Sequence, residues 1–460
     1  MGNKKNAWLK FDNTKKEEIF SFCEGYKKYI SDCKTERESI KEAIYLAESK
    51  GYRDLKNVIS AGKSLKAGDK VYYNNMDKSL ALFLIGSESI ESGMRIIGSH
   101  VDSPRLDLKP NPLYEDSELS LMETHYYGGV KKYQWVTIPL ALHGVVVKKD
   151  GTKIDVVVGE EETDPVVMVS DLLVHLASEQ QQKKATEVIA GEDLNILVGS
   201  MPLEGEEKEA VKANILKLLK EKYDFEEEDF MSAEIEIVPA GKARDLGLDR
   251  SMVAGYGHDD RICAYTSLLA LLETENTKKT SVVLLVDKEE VGSIGATGMQ
   301  SRFFENAVAE LMDRVGEYSE LKLRRALANS KMLSSDVTAA FDPNYAGAYE
   351  KKNSAFFGKG LAFAKYTGAR GKSGCNDANA EFVAWLRNVM DESDVSYQMA
   401  ELGKVDQGGG GTIAYILAEY GMEVIDCGVA LQNMHAPWEV ASKVDIFETM
   451  RGYKAFLMAE

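Results

Sequence analysis

Residues 15–32 and 35–50 place apolar side chains at a helical period. In the second stretch Ile40, Ala43, Ile44 and Ala47 fall on one face, which predicts an amphipathic helix. The short apolar run from Met94 to Gly98 predicts a strand. From about residue 106 the texture changes to β-rich alternation, clearest in VTIPLALHGVVVKKDGTKIDVVVG, where the Asp-Gly pair predicts a tight hairpin turn. Helical stretches are predicted near 168–183 and 206–222, with a strand at AEIEIVPA. Strand and helix then alternate: helix 261–274, strand 280–286, helix 301–316, strand 330–335, helices 377–391 and 411–420, strand 422–427.

A chain of 460 residues is long for one core, so two domains are expected. The change of texture divides the chain discontinuously. Residues 1–105 and 241–460 read as one α/β domain, a three-layer α/β/α arrangement on a mixed sheet, and residues 106–240 as a smaller β-rich domain inserted into it. Hydrophobic content of 44% and charged content of 28% are those of an ordinary globular protein. A net charge of −18 argues against nucleic acid or an anionic membrane as partner. The five cysteines are scattered and odd in number, as in a reduced thiol set rather than a disulfide framework. The start MGNKKNAWLKFDN lacks the features of a secretory signal and the hydroxyl residue a myristoylation start needs, and no apolar stretch reaches membrane-spanning length. A cytoplasmic protein is expected.

The chemistry lies where apolar runs stop. Five motifs stand there: GSHVDSPRLD, GHDDR, DKEEVGS, SSDV and NMHAP. Two divalent cations about 3.5 to 4 Å apart, bridged by a carboxylate and a water, can polarise a carbonyl and supply hydroxide at neutral pH. Imidazole and carboxylate ligands suit zinc, and also manganese or cobalt. His100, Asp259, Glu290, Asp336 and His435 would give each of two metals one histidine and one terminal carboxylate, with one aspartate left to bridge. Asp102 and Glu289 remain for supporting and catalytic work. Asp102 stands two residues beyond His100, on the same face if the strand continues, and could brace the imidazole. Taken alone, HxD also reads as a turn aspartate beside a core histidine, and the Glu-Glu pair as a solvated turn. The repetition of the pattern decides for the site.

The ordered set HVDSPRLDLKP, GHDDRICAY, DKEEVGS, SSDVTAAFDPNY and MHAPWE resembles the aspartyl aminopeptidase and vacuolar aminopeptidase I family of dinuclear zinc aminopeptidases, over residues 98 to 439. The resemblance implies two zinc ions per subunit held by His100, Asp259, Glu290, Asp336 and His435, with Asp259 bridging and a cis peptide after it. It further implies Glu289 as general base and Asp102 as the carboxylate that orients His100. The implied reaction is removal of N-terminal residues from peptides with a free amine. The insert becomes a dimerisation domain within a tetrahedral homododecamer.

Other features carry two readings. Gly408 to Gly411 run into the stretch TIAYILAEYG; they could present amides to an anion, but a loop that lets substrate approach the backbone fits better, since the lysine of a phosphate loop is missing. His175, in DLLVHLAS, reads as a core position on a helix; the resemblance adds that a histidine of the insert can reach a neighbouring subunit's substrate site. Lys365 and Lys372 are candidate contacts for an acidic substrate, and His125 and His143 have no partner motif. Where the acidic-specific branch of the family reads HAVHP, this chain reads TAAFDP, with Ala339 and Asp342. Losing a donor and gaining an acid leans the first-residue preference to neutral or broad. Two further functions stay open: a deacylase or carboxypeptidase on a similar two-metal core, and an assembly or cargo protein with a structural metal.

Overall fold

The computed structural model describes residues 5–460, which divide into two compact units. The first comprises residues through Asp102, Ala243–Met434 and Glu439–Glu460. The second comprises Ser103–Lys242 and His435–Trp438.

The first unit is built on a nine-stranded mixed sheet. Its order is Arg53–Asp54, Lys70–Asn75, Ser79–Leu84, Ser281–Val286, Arg95–His100, Lys331–Ser335, Glu423–Gly428, Leu361–Ala364, Tyr397–Met399. Four central strands, from Ser281–Val286 to Glu423–Gly428, run parallel. All six residues of SVVLLV are buried, as in a strand covered on both faces. Successive side chains of a strand point to opposite faces. Val283 and Leu285 accordingly join a core with Ile40, Leu268, Phe382 and Phe447, whose helices cover one face. Val282, Leu284 and Val286 join a second core with Phe304, Leu311, Leu327 and Leu417 on the other. The expected three-layer α/β/α architecture is the observed one. Each such side chain contributes roughly 1.5 to 3 kcal/mol by leaving water.

The predicted helices 15–32 and 35–50 form as Asn13–Asp32 and Glu36–Ser49. The second starts on a capping box, with Thr35 Oγ1 accepting from Glu38 N and Glu38 Oε2 accepting from Thr35 N. The predicted helix 411–420 shrinks to Ala414–Ala418, because Gly410 and Gly411 weaken any helical start. Pattern reading missed the helix Glu320–Ala328 and the C-terminal helix Lys443–Met458, twelve of whose residues are buried and so show no polar face. It also missed a small sheet in the order Arg244–Leu246, Met252–Gly255, Glu439–Ser442, Ala430–Gln432, Thr338–Ala339.

The second unit carries a seven-stranded antiparallel sheet, in the order Lys153–Val158, Leu140–Val147, Ala233–Pro239, Arg105–Asp116, Leu119–Tyr127, Ile196–Gly199, Met168–Val169. The predicted hairpin forms, with Gly151 at φ +87° and Asp150 Oδ1 accepting from Thr152 N. The helix predicted over 168–183 does not form. Met168–Val169 pairs instead with Ile196–Leu197, and residues 174–179 are turns. A helix of this length is marginal unless a layer buries its apolar face. Leu172, Leu173, Val174 and Leu176 are all exposed here. His175, read as a core position, is exposed among them.

One ion cluster ties the first unit together. Asp245 accepts from Lys27 Nζ at 2.6 Å, Lys443 Nζ at 2.8 Å and Arg250 Nε at 2.7 Å, and Lys443 is fully buried. Burial raises the Asp245 pKa, but the three cations outweigh it and hold the carboxyl well below its usual range. Its stabilisation is therefore complete above the unfolded value of about 4 and fades as the pH falls below it. Asp245→Ala should cost about 3 to 5 kcal/mol at pH 7, because a buried ammonium loses its carboxylate. Urea unfolding midpoints at pH 7 check this; an unchanged midpoint would show that the cluster adds nothing.

Candidate metal centre

The parallel strands deliver the motif residues to one edge. His100 is the last residue of Arg95–His100 and pairs with Val286, the last of Ser281–Val286. Asp336 follows Lys331–Ser335, on the other side of Arg95–His100. Glu289 and Glu290 open a short 3-10 turn three residues beyond Val286. Ligands bind outside the carboxyl ends of strands in open α/β sheets, and these residues stand there.

His100 is the hub. Its Nδ1 lies 3.0 Å from the Asp102 carbonyl oxygen and 3.3 Å from Asp102 Oδ1, so Nδ1 carries a proton and Nε2 faces inward. Nε2 lies 3.2 Å from Asp259 Oδ1, 3.7 Å from Asp336 Oδ1 and 3.8 Å from Glu289 Oε2. Asp102 does more than brace the imidazole. Its Oδ1 accepts from Glu289 N at 3.2 Å and its Oδ2 from Glu290 N at 3.1 Å, so one carboxylate holds both the histidine and the Glu-Glu turn.

Asp259 and Asp260 begin the helix His258–Leu272 through a cis peptide bond, as the resemblance implies. Asp260, for which the sequence suggests no role, is fully buried. Its Oδ2 accepts from His100 N at 3.3 Å, and a ligand atom of His100, Asp260 and Asp336 can be drawn from within 4.8 Å. His100, Glu289 and Glu290 form another such group. Glu439, the last residue of MHAPWE, accepts from Asp259 N at 3.1 Å. The second acid of GHDDR and the final acid of MHAPWE were the available signals; nothing in their spacing said that the fold turns them inward.

The remaining candidates are placed as follows. His435 belongs to the second unit, where its Nδ1 donates to the Gly129 carbonyl at 2.9 Å and leaves the lone pair on Nε2. His143 is buried against Glu160 in that unit and His125 is exposed. Lys365 follows Leu361–Ala364, which runs antiparallel to Glu423–Gly428, so the strand carries it away from the pole that bears His100 and Asp336. Lys372 pairs with Asp377 at 2.8 Å.

The electrostatics fit a cation. Burial disfavours charge on His100, yet Asp102, Asp259 and Asp336 override it and raise its pKa well above the usual imidazole value. Burial, opposed by His100 and reinforced by Asp336, Asp102 and Asp259, pushes Glu289 up to about 8. Burial likewise raises Asp336, and it raises Asp260 with help from Asp336. These acids crowd one another out of water; divalent cations held by imidazole and carboxylate are the charges that relieve such a ring.

An inward-facing imidazole ringed by acids at the carboxyl edge of a mixed sheet defines a metallohydrolase class of site. Residues 29–457 match the family of aminopeptidase I zinc metalloproteases (M18). A probable M18 family aminopeptidase 1 of Clostridium acetobutylicum is 66% identical over 454 residues, 98% of each chain. The crystal structure of an M18 aminopeptidase from Thermotoga maritima superposes with a TM-score of 0.95 at 46% identity, covering 99% of each chain. The S. cerevisiae mApe1 dodecamer, at 20% identity, shares the fold, with a TM-score of 0.77 over 95% of this chain and 96% of that one. This chain belongs to the M18 family and has the aminopeptidase function of that family of zinc metalloproteases.

Asp102→Ala removes the carboxylate that accepts from two main-chain amides and lies 3.3 Å from His100 Nδ1, while the main-chain carbonyl that accepts from Nδ1 stays. It should weaken zinc binding by about 10- to 100-fold, the range for residues that orient metal ligands. Competition with a chromogenic chelator measures it, and wild-type affinity would mean that Asp102 does not organise the site.

Proposed function

We propose that the protein is a dinuclear zinc aminopeptidase in which Glu289 is the general base. The observation that carries the reading is the crowded ring around His100 Nε2, where Asp259 and Asp336 supply ligand oxygens and Glu289 adds a carboxylate beyond what ligation requires. His100, Asp259, Glu290, Asp336 and His435 would hold the metals. Two bound dications would polarise the scissile carbonyl and lower the pKa of water. Glu289 takes the proton of the attacking water and returns it to the leaving amine. Asp102 keeps the Glu289 turn and the His100 ring in one frame. Burial of the site strengthens each of these interactions.

The family resemblance and the exposed Leu172, Leu173, Val174 and Leu176 support assembly through the β-rich unit, with a tetrahedral dodecamer as the expected form. His175 lies in that exposed segment, where a neighbouring subunit's substrate could meet it. Asp342 caps the turn Pro343–Ala348 by accepting from Asn344 N at 2.8 Å, so TAAFDP offers an acid held in place where the acidic-specific branch offers a histidine. A neutral or broad preference at the first residue follows.

One panel of aminoacyl p-nitroanilides (Asp, Glu, Leu, Lys and an N-acetylated control) tests the reading. Wild-type protein should cleave the free-amine substrates and lose activity on chelation. Glu289→Gln should lose about 10²- to 10⁴-fold in kcat while binding zinc as before. More than a tenth of wild-type activity in that variant would remove Glu289 from the base role, and cleavage of the acetylated control would favour a deacylase. In the same panel, kcat/KM for Asp or Glu should not exceed that for Leu by tenfold; a larger excess would sink the neutral preference.

A further inference from the structure

Glu439 is buried, with 1% of its surface exposed, and it opens the strand Glu439–Ser442. That strand pairs antiparallel with Met252–Gly255, with Gly255 opposite Glu439. The partner strand leads through Tyr256 and Gly257 into His258 and Asp259, so the pairing sets Glu439 beside the chain that delivers the aspartate. Glu439 Oε2 accepts from Asp259 N at 3.1 Å.

That amide belongs to the first turn of a helix, where main-chain N–H groups have no partner within the helix. A water, serine or glutamine would satisfy it. A carboxylate is a costly choice in a buried place, and it makes a hydrogen bond roughly twice as strong as a neutral one. The residue before Asp259 is held as firmly. His258 Nδ1 accepts from the Tyr26 hydroxyl, and Nε2 lies 3.2 Å from the Val253 carbonyl. His258 is thus held by its side chain and Asp259 by its main-chain amide, and Glu439 holds the latter with a charge.

We infer that Glu439 is a positioning residue of the metal centre, holding the Asp259 main chain and adding a negative charge behind the bridging carboxylate. The inference rests on the reading of Asp259 as a metal ligand. Glu439 stands four residues after His435, so one short segment supplies both the histidine proposed as a ligand and the carboxylate that steadies the bridge.

The test titrates chelator-stripped full-length protein with cobalt(II), read by its visible absorption, alongside zinc content after dialysis and circular dichroism for the fold. Glu439→Gln keeps an acceptor but not the charge, and should bind cobalt at least threefold more weakly with an unchanged dichroism spectrum. Glu439→Ala removes both and should bind about 10- to 100-fold more weakly. The kcat of the Gln variant should fall at saturating metal while KM stays, as a displaced bridge requires. Wild-type cobalt affinity in Glu439→Gln would overturn the inference, whether or not the Ala variant folds. A wild-type protein that binds no cobalt or zinc would instead overturn the metal-centre reading beneath it.

Discussion

Charges of one sign crowded out of water are the constraint on which this molecule turns. Asp259, Asp336 and Glu289 converge on one imidazole nitrogen within 3.8 Å, with Asp260 on the main chain behind it. Buried acids this close raise one another's pKa, and an assembly of neutral acids is poor catalytic machinery. Divalent cations turn the repulsion into ligation. Much of the surrounding structure serves to hold the acids at this unfavourable spacing.

Main-chain amides and sheet register do much of the holding. Asp102 spans from His100 to the amides of Glu289 and Glu290, and Glu439 receives the amide of Asp259. The register that sets His100 beside Val286 and Gly98 beside Ser334 brings three motifs from distant parts of the chain to one edge. A shift of one residue in either pair would turn alternate side chains between the two cores, so the burial of SVVLLV on both faces also protects the geometry of the site. Packing and chemistry are thereby coupled: the cores that stabilise the sheet fix the distances at its edge.

The two units meet opposite demands. The first buries its central strands on both faces and carries His100, Asp102, Asp259, Glu289, Glu290 and Asp336. The second carries an antiparallel sheet and leaves Leu172, Leu173, Val174 and Leu176 exposed. It also holds His435, whose tautomer is set by the Gly129 carbonyl.

The chain's own pattern was enough to specify the α/β class, the central buried strands and most of the helices, because a strand covered on both faces and an amphipathic helix leave periodicities that need no distant partner. It was also enough to nominate His100, Asp102, Asp259, Glu289, Glu290, Asp336 and His435, since acids and histidines recur where apolar runs stop. The segment 168–183 misled, because its helical period describes a surface whose burial depends on groups outside the segment. The parts played by Asp260 and Glu439, the double grip of Asp102, and the direction that takes Lys365 away from the centre belong to tertiary structure alone. Each depends on a pairing between residues far apart in the chain, such as Gly255 with Glu439, and local sequence holds no record of which distant backbone will supply a side chain's partner.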